Sequence, residues 1–203
     1  SYIDGDAGEL GYRGYAIEDF AHEASYEEVL SLLWNGEWPT RSEHDEFAAR
    51  LADERGLDPA VYDLIAELAS KDANPMAMMR TVTSTLSTYD ADADADPADR
   101  ETNLAKGCRI TAKLPTALAA FARLRNGNDP VEPRSDLGHA ANFLYMLNGE
   151  EPDEVAAETF DTALVLHADH GLNASTFAAM VTTSTMSDLH SGVTSAIGTL
   201  AGG

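Results

Sequence analysis

Helix-start signals recur along this chain at short intervals, each followed by apolar residues three and four apart. That spacing restricts the fold to a stack of short amphipathic helices. Ser25 and Glu28 form a capping box ahead of Val29, Leu30, Leu32 and Leu33, and Asn35-Gly36 supplies a left-handed stop. Thr40 and Glu43 repeat the box for a helix reaching about Gly56. Asp58-Pro59 then joins an N-cap to a proline at the first helical position, with Val61, Leu64, Ile65 and Leu68 as the apolar stripe. Another helix runs from about Pro75 to Ser87, with Met76, Met79, Thr83 and Leu86 in step.

A long helical pattern follows from about Ala98 to Arg125, and Pro115 within it is expected to kink or split it. The loop 126 to 135, NGNDPVEPRS, is a clear break, after which helices read at about 137 to 147, 152 to 169, 174 to 188 and 189 to 201. Only the opening segment, with the turn Asp4-Gly5-Asp6 between short extended pieces, suggests a pair of strands. The expected class is therefore all-α with a short extended N-terminal hairpin. A length of 203 residues and a hydrophobic content of 44% suffice for a sizeable core.

Charge narrows the partners. There are 35 acidic residues against 13 basic ones, a formal net charge of -22, and the lysines are Lys71, Lys106 and Lys113 alone. Phosphate contacts need clustered Lys and Arg, so nucleic-acid binding is disfavoured. The acids alternate with helical apolar patterns, which points to a densely solvated face and not to disorder. Such a face repels itself in dilute buffer and is screened near 1 M salt, where the Debye length is about 3 Å, so a salty cytoplasm suits it. No run of about 18 apolar residues occurs and the first residues lack the basic and apolar regions of a signal peptide, so a cytoplasmic protein without a membrane span is expected. The single cysteine, Cys108, rules out an internal disulfide and reads as a small buried hydrophobe. Within YDADADADPADRE, Asp90, Asp92, Asp94, Asp96 and Glu101 occupy positions 1, 3, 5, 7 and 12 of a calcium loop. Position 6 is Ala95 where that loop needs glycine, which favours a solvated acidic loop.

Chemistry concentrates in HADHGLNASTF, residues 167 to 177. His167 continues the stripe of Phe160, Ala163 and Leu164, so a hydrogen-bonded core histidine is expected. His170 precedes Gly171, the usual residue at a left-handed helix end, and Asn173 is a good N-cap for a helix opening with Ala174, Ser175 and Thr176. An imidazole beside free amides, hydroxyls and the positive end of a helix dipole makes an anion site suited to a small carboxylate. A self-contained capping network is the alternative. Zinc is disfavoured, because the segment lacks three firm ligands and is not H-E-x-x-H.

The segment H-A-D-H-x-x-N-A-S-T-F resembles the active-site approach of the citrate synthase family. The similarity runs from end to end, through YIDGDAGELGYRGYAIEDFAHEASYEEVLSLLWNGEWPT and NPMAMMRTVTSTLS to VTTSTMSDLHSGVTSAIGTLAGG. The resemblance implies a multi-helical fold with a large and a small domain, a homodimer, and condensation of oxaloacetate with acetyl-CoA and water to citrate and CoA, with no cofactor beyond the acetyl-CoA substrate. By the same match His170 would bind oxaloacetate, Ser175 would orient the enol-stabilising histidine from behind, and Asn173 would hold the turn. The family's enol-stabilising histidine, catalytic aspartate and carboxylate-binding arginines lie past Gly203. Residues 1 to 203 are therefore expected to be the N-terminal part of the large domain, inactive alone. A 2-methylcitrate synthase, or a non-catalytic helical interaction module on the same scaffold, is the alternative.

Overall fold

A computed structural model describes residues 1–202. The chain opens with strands β1 (Tyr2–Asp4), β2 (Glu9–Tyr12) and β3 (Tyr15–Ala16) in an antiparallel meander, with Ile3 opposite Leu10 and Gly11 opposite Ala16. The Asp4 carboxylate accepts from the amides of Asp6 and Ala7, both at 3.0 Å, and closes the first turn. A third strand joins the expected pair because Arg13 and Gly14 both take positive φ, 53° and 96°, as a two-residue hairpin turn demands. Arg13 is held in that conformation by its guanidinium, which donates to the Leu33 carbonyl.

Nine α-helices follow among the described residues: α1 (Tyr26–Asn35), α2 (Arg41–Asp53), α3 (Pro59–Ser70), α4 (Pro75–Leu86), α5 (Arg100–Arg125), α6 (His139–Asn148), α7 (Glu154–His167), α8 (Ala174–Thr183) and α9 (Leu189–Leu200). Both predicted capping boxes form. The Ser25 amide donates to the Glu28 carboxylate at 2.8 Å and the Thr40 amide to Glu43 at 2.8 Å, while Gly36 ends α1 at φ 93°. The helix α2 stops at Asp53, ahead of the expected Gly56, because Arg55 turns inward and donates to the carbonyls of Arg134 and Leu137 at 2.5 and 2.9 Å.

Pro115 does not split α5, which is continuous over 26 residues. Contacts on either side of the proline hold it. Lys113 Nζ donates to the carbonyls of Glu54 and Gly56 at 2.9 and 2.7 Å, Thr116 Oγ1 donates to the Arg55 carbonyl at 2.9 Å, and Ala117, Ala119, Ala120 and Phe121 are buried. The helix expected over 174 to 188 ends at Thr183. There the hydroxyls of Thr182, Thr183, Ser184 and Thr185 bond nearby carbonyls, Met186 takes φ 63°, and Asp188 becomes the N-cap of α9.

The main core lies between α3, α4 and α5, where Val61, Ile65, Met78, Val82, Leu86, Ala117, Ala120 and Phe121 interlock. A second cluster of Tyr12, Phe20, Ala21, Val29, Leu32 and Val165 joins the sheet to α1 and α7. Cys108 is buried with Leu30, Leu51 and Ala112, and burial pushes its thiol up, as befits a packing residue. In the acidic tract, Arg109 draws in two carboxylates: Nε and Nη2 donate to Asp90 at 2.9 and 2.7 Å, and Nη2 to Asp92 at 2.6 Å. The carboxylates at positions 1 and 3 of the calcium pattern are thus engaged by a guanidinium. No helix among the described residues is long and apolar enough to cross a membrane.

Candidate carboxylate-binding turn between two helices

Asp153 starts α7 by accepting from the Ala156 amide at 2.8 Å, and the helix ends at His167. Its last carbonyls need partners, and one comes from the sheet. Tyr12 is 0% exposed, and its hydroxyl donates to the Val165 carbonyl at 3.0 Å and accepts from the Asp169 amide at 3.3 Å. Asp169 in turn accepts from the Gly171 amide at 2.6 Å, and Ser1 Oγ donates to the same oxygen at 2.7 Å. Burial pushes the Asp169 carboxyl up, but the Ser1 hydroxyl and the Gly171 amide outweigh it and hold it below the usual carboxylate range.

Gly171 adopts φ 65°, the left-handed conformation the sequence suggested, but it sits in the connecting turn and not in the cap of α7. Asn173 then starts α8, its Oδ1 accepting from the Thr176 amide at 2.8 Å. That leaves the amides of Ala174 and Ser175, in the first helical turn, for water or a ligand.

His170 stands exposed in this turn, its ring edge-on to His167 with centroids 5.6 Å apart. His167 is not the core residue expected: it is exposed, no element among the described residues burying its side of α7. Its polar demand is met locally, with Nδ1 2.7 Å from the Ala163 carbonyl. A carbonyl can only accept, so Nδ1 carries a proton. Together His167, Asp169, His170, Asn173 and Thr176 wall a recess of about 490 Å³, within the range of small-molecule sites. Ser175 is half-buried in the first turn of α8 and does not line the recess.

Sequence reasoning missed two parts of this construction. Asp169 followed by Gly171 is a local aspartate-turn signal that could have been read. Tyr12 lies 157 positions from Asp169, and nothing local announces their contact. A larger cleft, about 1350 Å³, lies between α1, α2, α6 and α7. Glu27, Glu28, Glu158 and Asp161 face it, and burial together with Glu27 pushes the Asp161 carboxyl up to about 6. These carboxylates outnumber the one guanidinium on the same wall, Arg55, so the smaller recess is the better anion site.

Residues 1–203 match the family described as "Citrate synthase, C-terminal domain". A citrate synthase of Haloferax volcanii is 66% identical over 203 residues, covering 100% of this chain and 54% of that protein. A 2-methylcitrate synthase of Mycobacterium tuberculosis is 45% identical over 193 residues, 95% of this chain and 48% of its own length. The crystal structure of citrate synthase from Pyrobaculum aerophilum superposes with a TM-score of 0.93 at 41% identity, covering 98% of this chain and 51% of that one. The chain thus spans about half the length of the relatives it matches. With one sequence profile over every residue and one helical fold shared throughout, the chain belongs to the citrate synthase family.

Proposed function

We propose that the enzyme containing this chain condenses oxaloacetate with acetyl-CoA and water to give citrate and CoA. One observation carries the reading: the turn at Asp169 to Asn173 puts His170 in one recess with Asn173 and Thr176, at the end of α8 where the Ala174 and Ser175 amides are uncapped. Those amides and the helix dipole suit a substrate carboxylate, and a donating His170 would polarise the ketone, so that negative charge gathering on its oxygen during attack meets a fixed donor. Asn173 holds the turn by capping α8, and Ser175, set back in the first turn, orients a neighbouring group without touching substrate. No cofactor beyond the acetyl-CoA substrate is required. The higher identity to the Haloferax citrate synthase, 66% against 45% for the 2-methylcitrate synthase, favours acetyl-CoA over propionyl-CoA.

On the same reading these residues belong to the large domain of a two-domain, cytoplasmic homodimer. Phe177, Met180 and Val181 of α8 are more than half exposed, and a second copy pairing through α8 would cover them. A net charge of -22 slows the approach of two anionic substrates in dilute buffer. Activity is therefore expected to rise with salt well beyond 0.15 M, where the Debye length is still about 8 Å. An optimum in dilute buffer contradicts this.

The direct test is thiol release from acetyl-CoA, with and without oxaloacetate, by the natural full-length enzyme and by its His170→Ala variant. The variant is expected to need far more oxaloacetate. An unchanged oxaloacetate dependence removes His170 from the site.

A further inference from the structure

The His170 turn is steadied from outside its own segment, by a strand near the start of the chain. We propose that Tyr12 is a positioning residue for oxaloacetate binding, an inference that rests on the assignment of His170 to that site. Its phenol ring packs against Phe20 with centroids 5.9 Å apart, and the side chain is 0% exposed, so the position of the phenol oxygen is fixed by packing. That hydroxyl performs two tasks at once. As donor it takes the Val165 carbonyl at 3.0 Å, with the Leu166 carbonyl at 3.3 Å as a second acceptor, and so finishes the last turn of α7. As acceptor it takes the Asp169 amide at 3.3 Å.

The next link is Asp169 itself, whose carboxylate accepts from the Gly171 amide at 2.6 Å. The amides of Asp169 and Gly171, the residues that flank His170, are therefore tied down, one directly to Tyr12 and the other to the residue that Tyr12 holds. His170 is exposed, with only the His167 ring recorded beside its own, so its direction depends largely on this backbone. Tyr12 never approaches the recess, and acts on it only through the turn.

The test compares three variants of the full-length enzyme under steady-state assay, each normalised to its folded fraction. Tyr12→Phe keeps the ring and removes only the hydroxyl. It is expected to raise the KM for oxaloacetate about tenfold, the scale of one lost buried hydrogen bond, with the KM for acetyl-CoA unchanged. Phe20→Leu loosens the packing of the same ring without touching the hydrogen bonds, and is expected to lower Tm while leaving both KM values in place. His170→Ala is the reference for a damaged site. A selective rise in the oxaloacetate KM for Tyr12→Phe, absent from Phe20→Leu, supports positioning. Normal KM values for Tyr12→Phe beside an impaired His170→Ala overturn the role of Tyr12 alone. A normal His170→Ala overturns the site assignment and the Tyr12 proposal with it. Equal changes in Tyr12→Phe and Phe20→Leu reduce Tyr12 to a packing residue.

Discussion

The core between α3, α4 and α5 and the junction between α7 and α8 are held by different forces. Among the core helices, eight side chains are almost wholly withdrawn from water, so position is set by shape and by apolar area. At the junction α8 buries none of its residues, and its start is set by a tyrosine hydroxyl, an aspartate turn, a left-handed glycine and an asparagine cap. A packed core tolerates little change in volume and has no free donors to offer. A turn built from caps leaves amides and an imidazole facing outward, which is what a ligand requires.

Substitutions can break this contrast, and the largest effect belongs to the core. Phe121→Ala should lower stability by about 3–5 kcal/mol in urea unfolding, through lost burial and the cavity left behind. The oxaloacetate KM of whatever remains folded should not move. Gly171→Ala meets only ordinary contacts, the nearest at 3.5 Å from Ser1 Oγ, so its cost is the left-handed backbone alone, about 1–2 kcal/mol. That cost should appear as weaker oxaloacetate binding more than as a lower Tm, and a change in Tm alone would remove the turn from the site.

Asn173→Ala should cost about 1 kcal/mol by thermal unfolding, the usual loss for a missing cap. The last effect sharpens the comparison at a second polar place. Asp161 titrates near 6 in the folded chain against an ordinary 3.8, raised by burial and then by Glu27. Its ionised form therefore opposes folding above pH 6, and that opposition fades as pH falls toward 3.8. Asp161→Asn still accepts from the Tyr26 amide, so it should stabilise at pH 7.5 by about 1 kcal/mol or less, given partial exposure, and not at all below about pH 4. Melting curves across that range check it, and a gain independent of pH rules out the carboxylate as the cause.

The same contrast explains what the sequence made legible. The capping boxes at Ser25 and Thr40 were readable because both partners lie three residues apart, and a helix start is decided within one turn. The survival of α5 through Pro115 was not, since it depends on carbonyls of Glu54, Arg55 and Gly56 that reach it only after folding. At the candidate site the glycine and the N-cap were legible as local signals, whereas the exposure of His167 and the reach of Tyr12 depend on what does or does not pack against α7. Periodicity says that a face could be buried; it does not say that anything arrives to bury it.

The embrace of Asp90 and Asp92 by Arg109 has a consequence for life in dilute solution. Counterions hold most of this acidic surface together, and washing them away lets like charges push apart. This corner carries its own permanent counterion, tethered to α5 and sheltered from the bath. As salt is withdrawn, amide exchange should quicken around the unpaired carboxylates first and reach the loop beneath Arg109 last.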